Sequence, residues 1–303
     1  MALSFGLKRG LIVAEAERWR RNSQLVTDTL QQMLDTGEVR DLFQRPLVSL
    51  FWRLVTGRRL PAAQAERLAG LLRDELAALG NPWVENRVLR RLFPERSGWA
   101  ATLRFRDELR GAGWSPANDE DLVMILFDFL NGGTEPAQSL LEWVLLYLVR
   151  VPEQQALRLP HACAFVAEVL RHACPVAFGI PHRTETPHTV HGYRVPRDTV
   201  IIYGILAGHW DGTLWSQPEQ FRPERFLRED GAFAAGDKFV PYGVGPRRCP
   251  GRRLADALAL GVVTRLVRQF ELTPPDGAPP PPEEVAVVLT RRCGPFQAHF
   301  RPR

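Results

Sequence analysis

Residues 239–251, FVPYGVGPRRCPG, set one cysteine among glycines and prolines and lead directly into a helical repeat. Gly243 and Gly245 permit tight turns and close backbone approach, and Arg247 and Arg248 add positive charge. The spacing puts Cys249 at the opening of a helix, where a thiol is biased towards thiolate. The helix is read from Leu254, Leu258, Val262, Leu266 and Phe270, with Val263 and Val267 widening the apolar stripe and Arg252, Arg253, Arg265 and Arg268 interspersed. The stretch reads as a pocket built to hold a thiolate on a metal; taken alone, it also fits an ordinary loop with a buried thiol.

The pattern Tyr242-x-x-Gly245-x-Arg247-x-Cys249-x-Gly251 resembles the haem-binding signature of the cytochrome P450 family, with Tyr242 where Phe is usual. The resemblance implies haem b as cofactor, Cys249 as the axial ligand of its iron and Arg247 as partner of a haem propionate, with backbone amides tuning the sulfur. Two upstream patterns stand in the family's order. Glu168-x-x-Arg171 lies in the apolar helical run CAFVAEVLR, and its spacing puts both side chains on one face. FRPERF, 221–226, supplies Arg225, which the resemblance places in a buried triad with Glu168 and Arg171. A lone E-x-x-R also describes a solvated pair, and its order relative to Cys249 favours the triad.

Residues 121–149, DLVMILFDFLNGGTEPAQSLLEWVLLYLV, form a long apolar segment that resembles the family's central helix over the haem. Gly132, Gly133, Thr134 and Glu135 align with its oxygen-activating pattern, but Pro136 and Ala137 follow where Thr-Thr or Thr-Ser is expected. Pro136 has no N–H, so the Gly132 carbonyl loses its helical partner and a local kink is expected. That carbonyl is able to order water, and Glu135 remains for proton delivery or, alternatively, for a cap or pair near the kink. Near the start, GLIVAEAERWRRNSQL resembles the helix whose Trp and Arg reach a propionate, which implies Trp19; a surface amphipathic helix explains the same residues. His182, in GIPHRTETPHTVHGYRVPRDTVI, aligns with another propionate contact, and that segment reads as strands with turns at Pro181, Pro187, Gly192 and Pro196.

The fold class expected is mainly α with a small β component, P450-like and incomplete, with residues 1–303 forming one incomplete domain from the propionate helix to the C-terminus. The family's N-terminal helices and sheet are expected to be missing. Glu135 and Glu168 stand so close in sequence that most of two intervening helices is expected to be absent too. No uncharged run reaches bilayer length, so membrane association, at the endoplasmic reticulum, is expected of a full-length parent only. The net charge of +5 comes without basic runs interleaved with aromatics, which excludes the usual nucleic-acid binder. Arg248, Arg252 and Arg253 suit the docking of an acidic electron donor.

Cysteines 163, 174, 249 and 293 show no disulfide spacing, and the three other than Cys249 read as buried apolar residues. His161, Cys163, His172 and Cys174 offer four zinc-ligand types, but i and i+2 diverge on a helix. TPPDGAPPPPEE, 273–284, reads as an exposed loop, with a polyproline partner site as the other reading, before a terminal hairpin. The function implied by resemblance is insertion of one oxygen atom of O2 into a lipophilic molecule, with electrons from NADPH through a reductase partner. The alternatives are an inactive truncated relative with weak or no haem binding, and a haem-thiolate isomerase or dehydratase that needs no electrons.

Overall fold

The computed structural model describes residues 39, 42–79, 87–97, 99–111, 120–155, 159–287 and 290–303. Helix α1 (Gln44–Thr56) buries Leu47, Val48, Leu50, Phe51 and Trp52 and ends where Gly57 turns left-handed and returns its N–H to the Arg53 carbonyl. Helix α2 (Ala62–Leu79) repeats Ala65, Leu68, Ala69, Leu72 and Leu76 at helical spacing, all buried. It packs on α3 (Trp99–Gly111) through Phe105 and Leu109; two short helices, Arg87–Leu92 and Pro94–Ser97, precede α3.

The organising element is α4 (Glu120–Arg150), 31 residues long and continuous through Pro136. From Leu140 to Val149 every side chain is buried, so this half is wrapped on all sides. Helix α1 crosses α4 at Gly133, where an added Cβ would come within 2.6 Å of the Phe51 ring. A single 3-10 turn, Pro152–Gln155, follows α4 before α5 (Leu159–His172). Gln155, buried in that turn, bonds both the N–H and the carbonyl of Leu272 and fixes the turn to the β-structure.

Among the described residues, the sheets are four antiparallel pairs. β1 (His182–Arg183) pairs with β4 (Val200–Ile201), and between them β2 (His188–Val190) and β3 (Tyr193–Val195) form a hairpin turning at His191 and Gly192, both with positive φ. Of the four turn positions expected in this segment, Gly192 is therefore the hairpin tip. Helix α6 (Arg252–Gln269) packs Leu258, Val262, Val263, Leu266 and Val267 against α4 and α5. Phe270, read from the sequence as helical, instead begins β5 (Phe270–Thr273), which pairs with β8 (His299–Pro302). β6 (Val285–Val287) and β7 (Arg291–Cys293) form the expected hairpin, which covers α4: Ser139 and Trp143 both donate to the Arg291 carbonyl at 2.7 Å. The proline-rich loop before it is tied down by Arg150, which bonds the Pro281 carbonyl and pairs with Glu283 at 3.2 Å. Among the described residues, no helix is long and apolar enough to cross a membrane.

Candidate active site

The cysteine loop is a set of tight turns closed by backbone bonds. Gly243 and Gly245 have φ of +71° and +69°, a region that side chains disfavour. Gly243 N–H bonds the Val240 carbonyl at 3.1 Å, Arg248 N–H bonds Gly245 at 3.2 Å, and Cys249 N–H bonds Tyr242 at 2.8 Å. A 3-10 turn, Gly245–Arg247, with Pro246 near its start, carries the arginines outwards.

One expectation is corrected here, and the alternative reading of an ordinary loop with a buried thiol does not fit either. Cys249 does not open the helix: Pro250 and Gly251 intervene, Gly251 is the N-cap, and the first helical bond runs from Ala255 N–H to Gly251. The helix dipole acts over its first turn, and Cys249 stands before the N-cap. Nor is the thiol buried. Cys249 is exposed, whereas Cys174 and Cys293 are buried and Cys163 is half-buried. Burial pushes the Cys174 thiol up to about 12, and it also raises the Cys163 thiol with a smaller contribution from Asp256. Both are poor thiolates.

Arg247 and Arg248 are exposed and, among the described residues, neither guanidinium has a partner. His182, half-buried on β1, presents its ring edge-on to Tyr203 at 5.8 Å between centroids. Tyr203 lies so close over Gly179 that a Cβ there would fall 1.9 Å from its ring, and its hydroxyl lies 3.1 Å from where a Gly243 Cβ would stand. Tyr203 thus links the β1 segment to the cysteine loop, a contact the sequence reading did not find. Gly251 lies against the sulfur, at ordinary contact distance for an added Cβ. Tyr242 donates its hydroxyl to Asp256 at 2.7 Å; Asp256 stands one turn into α6, after Arg252.

Glu168, Arg171 and Arg225 meet in the core. Arg171 grips Glu168 with Nε and Nη2 at 2.8 Å each, and Arg225 Nε reaches the same carboxylate at 3.1 Å. The Arg222 backbone N–H adds a fourth bond at 2.8 Å. Glu168 and Arg171 are fully buried. Arg171 also donates to the His209 carbonyl, and His209 Nε2 accepts the Val240 N–H at 3.2 Å. Burial, with Arg171 adding to it, lowers the His209 imidazole to about 4, so it stays a neutral acceptor.

On α4, Gly132 is exposed and an added Cβ would meet nothing within 4 Å, while Phe129 one turn earlier is half exposed. Glu135 is only 3% exposed and accepts a 2.9 Å bond from Thr290, between β6 and β7. The carboxylate is therefore held by the hairpin, not by a cap or pair at Pro136. Thr134 Oγ1 is buried and has no hydrogen-bond partner among the described residues. Trp19 lies outside the described residues. Of the zinc-type residues, His172 is already engaged: Nδ1 meets the Tyr147 hydroxyl at 2.6 Å and Nε2 the Glu219 carbonyl at 2.8 Å.

The residues present fit a haem held by a sulfur ligand: an accessible cysteine on a glycine-shaped loop, two exposed arginines that have no partner among the described residues, and open space against Gly132. The family model for cytochrome P450 matches residues 153–298. Steroid 21-hydroxylase of Sus scrofa is 34% identical over 205 residues, 59% of this chain and 41% of that protein. The Bos taurus steroid 21-hydroxylase is 35% identical over 206 residues, with the same coverage. The chain thus spans 41% of the length of these curated relatives. A zebrafish cytochrome P450 structure with progesterone superposes with a TM-score of 0.75 over 93% of this chain and 76% of that one, at 21% identity, and shows the shared fold. On these matches, residues 153–298 carry the sequence pattern of the cytochrome P450 family, and the chain shares the fold of a solved member of it.

Proposed function

We propose that this chain is the haem-binding part of a monooxygenase that inserts one oxygen atom of O2 into a lipophilic small molecule. The observation that carries the reading is the exposed Cys249 thiol, its amide fixed to the Tyr242 carbonyl, with two exposed arginines that have no partner among the described residues. Haem b, bound there, supplies oxygen activation with electrons passed from NADPH by a reductase. The rest is the work of the chain. Cys249 would give its thiolate to the iron, Arg247 and His182 would hold the haem carboxylates, and Trp19 is assigned to the same carboxylates. Gly243, Gly245 and Gly251 keep the loop close enough for the sulfur to stand clear of the backbone.

Gly132 leaves open space on α4, and its carbonyl, freed by Pro136, is an acceptor for a water. Glu135 is the carboxylate assigned to proton delivery; because Thr290 donates to its Oε1, a proton is passed on from the other carboxylate oxygen or after that bond opens. Glu168, Arg171 and Arg225 fix α5 to the segment that leads into the cysteine loop. Arg248 and Arg253, exposed beside the sulfur, suit an acidic electron donor, whereas Arg252 is engaged by Asp256. A steroid is the substrate class to try first, given the relatives' activity.

The test is the carbon monoxide difference spectrum of the reduced chain beside Cys249→Ser. A red-shifted thiolate-type band, lost in the variant, is expected. The alternative is the inactive reading, a truncated relative that takes up little or no haem. Failure to take up haem, or a band that survives Cys249→Ser, overturns the proposal in favour of that reading.

A further inference from the structure

We propose that Tyr242 and Asp256 form a brace that positions Cys249 as an iron ligand, an assignment that rests on the haem reading above. The loop around Cys249 is exposed, rich in glycine and not cross-linked by any disulfide among the described cysteines. Its cysteine amide is fixed by one acceptor, the Tyr242 carbonyl at 2.8 Å. Wherever Tyr242 moves, the amide of Cys249 follows. Tyr242 is in turn fastened at its other end, where its hydroxyl donates to Asp256 Oδ1 at 2.7 Å.

Asp256 stands on α6, and Arg252 one turn earlier pairs with its second oxygen at 3.6 Å. The Arg252 guanidinium also lies 5.8 Å from the centre of the Tyr242 ring. A closed circuit results: Cys249 to Tyr242 by backbone, Tyr242 to Asp256 by side chain, and Asp256 back to Cys249 along the chain. The circuit spans the turn at Pro250 and Gly251, the stretch that neither helix nor sheet bonding stabilises.

The partners are not idle surface groups. Burial raises the Asp256 carboxyl against the opposing pull of Tyr242 and Arg252, and burial also raises the Tyr242 phenol. The bond from Tyr242 holds this half-buried carboxylate in place, although its side chain is still 39% exposed. A phenylalanine, usual at the Tyr242 position of the family signature, would fill the same space and leave Asp256 without this donor. The hydroxyl and the acid therefore act together, and both the geometry of the thiolate and the negative charge near it depend on them.

The test uses the full chain loaded with haem and four variants. Tyr242→Phe breaks the bond and keeps the charge; Asp256→Asn keeps an oxygen acceptor and removes the charge; Asp256→Ala removes both; Cys249→Ser checks the ligand. The reduced carbon monoxide spectrum is followed in urea, with far-ultraviolet circular dichroism reporting the folded fraction. At equal folded fraction, Tyr242→Phe is expected to lose the thiolate-type band about fivefold faster, the factor one ordinary hydrogen bond supplies. Asp256→Ala is expected to match it, while Asp256→Asn keeps the parent's rate and raises the haem reduction potential. Parent-like band loss and potential in both Tyr242→Phe and Asp256→Ala overturn the brace alone. A parent chain without the thiolate band, or a band that persists in Cys249→Ser, overturns the haem reading and the brace with it.

Discussion

Two buried groups drive stability in opposite directions across one pH window, and separating them is the sharpest test of the packing. Glu75, on α2, is 2% exposed, its Oε2 has no hydrogen-bond partner among the described residues, and burial raises its carboxyl from 4.5 to about 7. The folded chain therefore holds this proton where the unfolded chain has lost it, so the contribution to stability is full below pH 4.5 and is lost as pH rises towards 7. His209 behaves in reverse. Its folded value of about 4 lies below the ordinary 6.5, so its contribution is full above pH 6.5 and is lost as pH falls towards 4. The windows overlap between pH 4.5 and 6.5. Each group changes stability by about 1.4 kcal/mol per pH unit there, roughly 2.7 kcal/mol in all, with opposite signs.

The two effects largely cancel in the parent and separate in variants. Glu75→Gln removes the falling contribution, so urea midpoints measured from pH 4.5 to 6.5 rise relative to the parent by the equivalent of roughly 2.7 kcal/mol. His209→Asn removes the rising one, and stability falls over the same interval. The comparison is of slopes, so the constant cost of each substitution drops out. Other perturbed groups, such as His172 and Asp256, are common to parent and variant and leave the difference unchanged. A Glu75→Gln profile parallel to the parent's would refute the burial argument for Glu75, and a parallel His209→Asn profile that for His209.

Glu168→Ala strands two guanidiniums in the core and is expected to cost about 3–5 kcal/mol in urea unfolding. Glu95→Ala, which breaks an exposed pair with Arg104, is expected to change stability by less than about 1 kcal/mol, and equal losses would contradict the assigned burial. Gly179→Ala is expected to displace the Tyr203 ring and cost about 1–3 kcal/mol. Most of that cost should disappear in Gly179→Ala combined with Tyr203→Ala, measured as a double-mutant cycle.

What the sequence made legible was local. The apolar run at 121–149 identified α4 because a continuous hydrophobic pattern of that length has few alternatives, and Gly192 marked the β2–β3 turn for its backbone freedom. The start of α6 was placed too early because side-chain periodicity carries no record of where Pro250 and Gly251 delay the first helical bond. Partnerships across the fold were illegible. Gln155 and Leu272, Glu135 and Thr290, and Tyr203 and Gly179 come together only because helices and hairpins pack, and no local window contains either member's reason for being there.

The most consequential such partner is His209. From Glu168 the contacts pass to Arg171, from Arg171 to the His209 carbonyl, and from the His209 ring to the Val240 N–H at the start of the cysteine loop. Val240 then accepts the Gly243 N–H, and Tyr242 accepts that of Cys249. Glu168 and Arg171, recognised by their spacing on one helix, thus reach the cysteine loop through His209, the first residue of the irregular stretch HWDGTLWSQPEQ, 209–220. The buried carboxylate therefore governs both the stability of α5 and the placement of the loop. Loosening either end of this chain of bonds should be felt at the sulfur before the fold itself gives way.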